Sequence, residues 1–262
     1  MTLTDGARLR QRPSAVDLRV FRAALAPWRA LTTPRFSGLE NIPAEGAVPL
    51  VGNHTLFGVL DMPLMLDEIH RSRGRFVRGL AEHVHLAVPG WRDMLMRAGA
   101  VRGTRDNCRE LLAAGEAVLV YPGGGREVAK RKDEKYRLIW KQRTGFARMA
   151  IEAGCPIVPF GAVGAEECFD ILLDADHPVF APARAVMGRL GGNWDLVWPV
   201  VRGFGGSALR RCPGRSSFNF GFGAPISTDR WAGPVTDAAL RDEVRSGVEQ
   251  QVATLQVERA AR

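Results

Sequence analysis

With 262 residues the chain is long enough to bury a large core, at the upper end of what one domain usually holds. Its 46% hydrophobic and 24% charged residues are ordinary for a soluble globular protein, and no run approaches the ~20 apolar residues of a membrane-spanning helix. A formal net charge of +8 admits an anionic partner, whether nucleic acid, acidic membrane or phosphorylated cofactor, without choosing among them.

Residues 1–35 read as a basic amphipathic segment. Within "VDLRVFRAALAPWRAL", Leu18, Phe21, Leu25 and Trp28 recur at helical spacing with Arg19, Arg22 and Arg29 interleaved. Such a helix either lies in a bilayer interface or packs on the body of the protein, and Pro27 is expected to kink it. Residues 36–262 read as a single α/β domain. The apolar runs "VPLVGN", "FVRGL", "AVLVYPGG" and "PIVPFGAVGA" end at Gly, Pro or Asn as buried strands do, and "FNFGFGAPI" adds a later one. Between them Asp61–Arg73, Trp91–Ala98, Arg105–Ala114 and Lys141–Ala153 read as helices, and residues 236–261 as a C-terminal amphipathic helix carrying Leu240, Val244, Val248, Val252 and Leu255. Alternating strands and helices imply an α/β fold with a largely parallel central sheet flanked by helices, whose sites form beyond the carboxyl ends of the strands. His54 and the glycines at 123–125 then share one edge.

The stretch "GNHTLFGVLD" follows the first buried strand. His54 and Asp61 suggest a general base whose second ring nitrogen is held by a carboxylate. Seven residues of continuous helix rise about 10.5 Å, too far for a hydrogen bond, so the pair needs a bend. Gly58 permits one, and Pro63 places Asp61 near a helix N-cap. The alternative is a core histidine and a plain cap. In "YPGGGRE" the glycines Gly123, Gly124 and Gly125 let backbone N–H groups approach a ligand oxygen, and Arg126 offers a fork to phosphate or carboxylate; a tight turn is the alternative. From Arg126 to Arg148, nine Lys or Arg face three acids, with Tyr136, Leu138, Ile139 and Trp140 among them. That pattern suits a surface meeting lipid headgroups, or a solvated face.

Other signals are weak. His83 and His85 alternate as on one side of a strand, but no further ligands accompany them, so no metal is expected. "GFGGSA" at 203–208 lacks the βαβ context of a dinucleotide fingerprint, and there is no G-x-S-x-G. Cys108, Cys155, Cys168 and Cys212 form no C-x-x-C pair, and no apolar leader follows the first arginines. Reduced thiols in a cytoplasmic protein, peripheral at the inner face of a membrane, are expected.

Taken in order, His54 with Asp61, "AVRGTRDN" at 100–107, "YPGGGRE" and "CPIVPF" at 155–160 resemble the blocks of the glycerolipid (lysophospholipid) acyltransferase superfamily over residues 36–226. Six residues separate His54 from Asp61 where the family has four, and glycine replaces the acidic residue of the third block. The second departure looks like the diacylglycerol-acyltransferase-like and phytyl-ester-synthase-like branch, whose acceptors are neutral alcohols. The resemblance implies that His54, oriented by Asp61, deprotonates an acceptor hydroxyl that attacks an acyl-CoA or another acyl thioester. It implies that Gly103 and Arg105 help bind the acceptor, that Arg126 meets its polar end or a phosphate, and that no cofactor is needed beyond acyl-CoA as co-substrate. The expected partners are that thioester, a lipid alcohol and an anionic membrane surface, with no nucleic acid. "HPVFAPARAVMGRLGGNWDLVWPVV", with Phe180, Met187, Trp194 and Trp198, is a candidate wall for an acyl groove. A thioesterase with the same residues, or an inactive lipid-binding protein of the same fold, are the alternative readings.

Overall fold

The computed structural model describes residues 12–58, 60–189, 194, 197–202, 218–231 and 236–261, without the side chains of residues 83 and 84. Seven strands form the main sheet: β1 (Arg35–Ser37), β2 (Val48–Gly52), β3 (Val77–Ala81), β4 (Val101–Arg102), β5 (Ala117–Val120), β6 (Val158–Val163) and β9 (Asn219–Phe222). Their order is β1-β9-β6-β2-β5-β3-β4, and every neighbouring pair is parallel except β6 with β9. β7 (Asp170–Leu173) and β8 (Val200–Arg202) pair separately as an antiparallel ribbon.

The apolar runs are continuous because both faces of the sheet are covered. Val51 and Val118 face a core with Leu111, Met149, Leu240 and Val248, supplied by the helices α5 (Arg105–Ala113), α7 (Gly145–Ala153) and α9 (Thr236–Ala260). Leu50, Leu119 and Phe160 face the other core, built on Leu64, Met65 and Ile69 of α2 (Met62–Arg73). Glycine lets α9 lie close against β6: a Cβ on Gly161 would sit 2.8 Å from the backbone nitrogen of Val252. Three further helices, α3 (His83–Ala87), α4 (Trp91–Arg97) and α6 (Gly125–Val128), cluster at the carboxyl edge, and α8 (Ala181–Arg189) lies between β7 and β8 in sequence.

The N-terminal helix, α1 (Ala15–Thr32), starts at a capping box of Ser14 with Asp17 and runs through Pro27. It packs on the body. Arg22 and Arg29 donate to Asp67, at 2.8 and 3.1 Å, and Trp28 donates its indole N–H to the Leu60 carbonyl at 2.7 Å. Leu25 and Trp28 join the α2 core, so the apolar stripe of this helix faces protein.

The basic stretch is part interior and part solvated, with Lys132, Lys135, Arg137 and Lys141 exposed. Lys130 is buried against Glu166 at 2.5 Å, Arg131 pairs with Asp176, and Arg148 with Asp237. Leu138 and Trp140 are core residues. The neutralising carboxylates come from distant parts of the chain, which a local charge count does not register. His83 and His85 fall in the short helix α3 and not on a strand, and the segment 203–208 lies outside the described residues. Cys108 and Cys155 are free, whereas Cys168 is disulfide-bonded, against the expectation of uniformly reduced thiols. Among the described residues no helix is long and apolar enough to cross a membrane, and no cluster of three or more His, Cys, Asp or Glu could hold a metal.

Candidate active site

At the end of β2 the chain leaves the sheet through Asn53, and the reason for that residue is visible. Its side-chain amide accepts from the Ala162 N–H at 2.8 Å and donates to the Ala162 carbonyl at 2.9 Å. The side chain thus continues the ladder to β6 while the backbone turns away, leaving His54 at the carboxyl edge. The His54 ring packs on Tyr121, centroids 4.1 Å apart, and Tyr121 packs edge-on to Phe160. The loop then folds back through two left-handed residues, Phe57 at φ +62° and Gly58 at φ +61°. A Cβ on Gly58 would lie 2.1 Å from His54 Cε1, so glycine is required for the turn and for the ring beneath it.

His54 Nδ1 lies 3.1 Å from the Thr55 carbonyl oxygen. That acceptor selects the tautomer protonated at Nδ1 and leaves the Nε2 lone pair available. Burial pushes the imidazole pKa down to about 4, so the ring is neutral at pH 7.

Asp61 does not complete a direct dyad: among the described residues no hydrogen bond joins it to His54. Its Oδ1 accepts from the Thr55 hydroxyl at 2.9 Å and from the Met62 N–H at 2.8 Å, as the N-cap of α2. Burial raises its pKa to about 6. Thr55 stands between the two, its carbonyl toward the histidine and its hydroxyl toward the aspartate. Asp61→Asn keeps an acceptor oxygen for Thr55, and its turnover is expected to stay within about tenfold of wild type. Steady-state kinetics check this; a loss on the order of 10⁴-fold would mean direct carboxylate–imidazole contact during turnover.

The glycine block serves the scaffold more than a ligand. Gly124 donates its N–H to the Tyr121 carbonyl at 3.0 Å, and Gly125 donates to Glu82 at 2.8 Å. Gly123 lies against Glu127: a Cβ there would sit 2.3 Å from the carboxylate. Arg126 spends its fork on Glu134, at 2.6 and 2.9 Å, and does not line the cavity described next.

That cavity, of about 840 Å³, opens beside His54 and is walled by Phe57, Leu80, Trp91, Leu119, Phe146 and Trp198 among others. Of the residues singled out from the sequence, His54, Gly103, Arg105, Gly124 and Gly125 line it, and Asp61, Gly123 and Arg126 do not. Arg105 is exposed there and has no hydrogen-bond or ion-pair partner among the described residues. Trp198 reaches the cavity, whereas Phe180, Met187 and Trp194 do not line it.

Three contributors were not anticipated. Glu127 is fully buried; its carboxylate accepts from the His54 backbone N–H at 3.3 Å and the Ile139 N–H at 3.0 Å. Burial raises its pKa to about 7, with Lys130 and both N–H donors opposing the shift. Arg143 donates to the carbonyls of Pro122 and Gly123, each at 2.8 Å, clamping the glycine loop. Thr55 is the third. Glu127 follows Arg126 directly and was the one within reach of sequence reasoning; the Arg143 contact spans some twenty residues and leaves no local signal.

The Acyltransferase family profile matches residues 33–163, half of the chain, and the chain belongs to that family. Phytyl ester synthase 2, chloroplastic, of Arabidopsis thaliana is 31% identical over 247 residues, covering 84% of this chain and 34% of that protein. The DGAT1/2-independent enzyme synthesizing storage lipids of Bos taurus is 33% identical over 154 residues, covering 55% and 46%. The chain thus spans between a third and a half of the length of these relatives. The crystal structure of the 1-acyl-sn-glycerophosphate acyltransferase PlsC from Thermotoga maritima superposes with a TM-score of 0.51 at 16% identity, over 95% of this chain and 83% of that one. That likeness establishes the fold.

Proposed function

We propose that the protein transfers a fatty acyl group from acyl-CoA, or another acyl thioester, to the hydroxyl of a lipid alcohol at a membrane surface. The observation that carries this reading is His54, neutral and tautomer-fixed by Thr55, on the wall of an apolar cavity. His54 Nε2 accepts the acceptor's hydroxyl proton as the oxygen attacks the thioester carbonyl carbon. The C–S bond breaks, and the proton passes to the departing thiolate, giving an ester and a free thiol. Asp61 acts through Thr55 as a positioning residue, and Arg105 with Gly103 holds the polar end of a substrate on the far wall.

A neutral acceptor is favoured by two points. Arg126 is committed to Glu134, and the relatives are named for phytyl esters and storage lipids. Product balance tests the reaction class. With long-chain acyl-CoA and diacylglycerol or a fatty alcohol, one ester should form per thiol released. Free fatty acid in place of ester would make the protein a thioesterase, and neither product would leave a lipid-binding role.

A further inference from the structure

The apolar surface of the protein is unevenly distributed. Of eleven exposed large hydrophobic residues among those described, eight lie on two segments, around α4 and from β7 to β8. Each of these segments also sends a tryptophan into the cavity wall, Trp91 and Trp198, and both tryptophans are themselves exposed at its mouth. Val88 and Met94 stand beside the first, and Val179 and Val186 lie on the second, between 49% and 61% exposed. Helix α4 buries no residue, and glycines with positive φ, Gly90 and Gly99, bracket it. A helix so lightly attached gains little from the protein core; its apolar face is available to another apolar phase. The charge agrees on the α4 side, where from Trp91 to Asp106 four arginines, at 92, 97, 102 and 105, face only Asp93 and Asp106.

We infer that this rim is the membrane-docking face, and that it sets the cavity mouth against an anionic bilayer. The inference rests on the proposed lipid acceptor and moves the membrane contact away from α1, whose Leu25 and Trp28 face the core, and from the 126–148 stretch, whose Leu138 and Trp140 are buried. A lipid alcohol then passes from bilayer to His54 along Trp91 and Trp198 without crossing water. Apolar insertion supplies most of the attachment, and the arginines add a salt-sensitive part.

The test is co-sedimentation with phosphatidylcholine vesicles, with and without phosphatidylglycerol. Three paired variants are compared, none of them on cavity residues: Val88→Ser with Met94→Ser, Val179→Ser with Val186→Ser, and Val16→Ser with Val20→Ser on α1. Wild type should bind and stay largely bound in about 1 M salt, where charge attraction is screened within about 3 Å. Each rim pair should weaken binding about tenfold, and the α1 pair should leave it unchanged. Equal binding by wild type and both rim pairs, or loss confined to the α1 pair, would overturn the inference. So would a wild-type dimer that the rim pairs dissolve, since a second copy would then cover the face. Turnover on detergent-dispersed acceptor separates the two proposals. Rim pairs that keep it while losing turnover on vesicle-borne acceptor support the docking face, whereas a wild type that binds vesicles yet turns over neither form defeats the function and leaves the face standing.

Discussion

Glu127→Ala is expected to lower both stability and turnover, because one carboxylate anchors two backbone segments of the site. The substitution leaves the N–H groups of His54 and Ile139 without their acceptor in a buried setting. At roughly 1–3 kcal/mol for each buried donor left unmade, with partial relief from entering water, a net cost of about 3 kcal/mol is expected. In a chain of this size that lowers Tm by roughly 6–10 °C. Turnover falls further, since releasing His54 by about 1 Å can cost on the order of 100-fold.

Glu127→Gln keeps one acceptor oxygen but points an amide donor at the other N–H, so its stability at pH 7 should fall between those of wild type and alanine. It also isolates the titration. The carboxyl of Glu127 binds its proton up to about pH 7 when folded, against a reference of 4.5. Between those values the folded state holds more protons than the unfolded one, so this group's contribution to stability decreases as pH rises through the window. His54, lowered to about 4 from 6.5, works in the opposite sense: its contribution is lost as pH falls from 6.5 toward 4. Chemical denaturation from pH 4.5 to 7 should therefore show wild type losing stability relative to Glu127→Gln as pH rises. A constant difference would mean that the carboxyl titrates normally.

The second large effect is expected at Gly58. Gly58→Ala places a methyl within 2.1 Å of His54 Cε1 and 2.8 Å of Nδ1, in a left-handed residue that itself disfavours a side chain. The ring must leave either Tyr121 or the Thr55 carbonyl, and kcat/KM should drop at least about 100-fold. Left-handed backbone alone costs about 1–2 kcal/mol, and Gly74→Ala separates that part. Gly74 has φ +63° at the end of α2, and nothing lies within 4 Å of a Cβ built there. It should lose similar backbone stability with unchanged turnover. Equal kinetics for the two variants would show that crowding of His54 does not matter.

Much of the scaffold was legible because its signals are local. The runs that became β2, β5 and β6 are apolar on both faces, and α2, α5 and α9 carry their core residues at helical spacing. β1, β4, β7 and β8 went unread, having two to four residues each and no burial pattern of their own. At the site, His54 and the glycine block were brought to one edge as the strand pattern implied. What failed was the assignment of partners. Asp61 holds Thr55, Arg126 holds Glu134, and within the basic stretch Lys130, Arg131 and Arg148 pair with Glu166, Asp176 and Asp237. The first two pairings depend on how a loop folds back within eight residues and the last three on side chains meeting across the fold, neither of which residue type and spacing encode. The same limit hid Arg143, which reaches back to the glycine loop from some twenty residues on.

The most direct test of the account is thiol release from long-chain acyl-CoA by wild type and His54→Ala, each with no acceptor, diacylglycerol, a fatty alcohol or lysophosphatidate, and with Tm measured alongside. General-base catalysis contributes about 10²–10⁴-fold, so release should require a neutral alcohol and fall by at least about 100-fold in a variant that remains folded. Acceptor-dependent release that survives in folded His54→Ala would contradict the role given to His54.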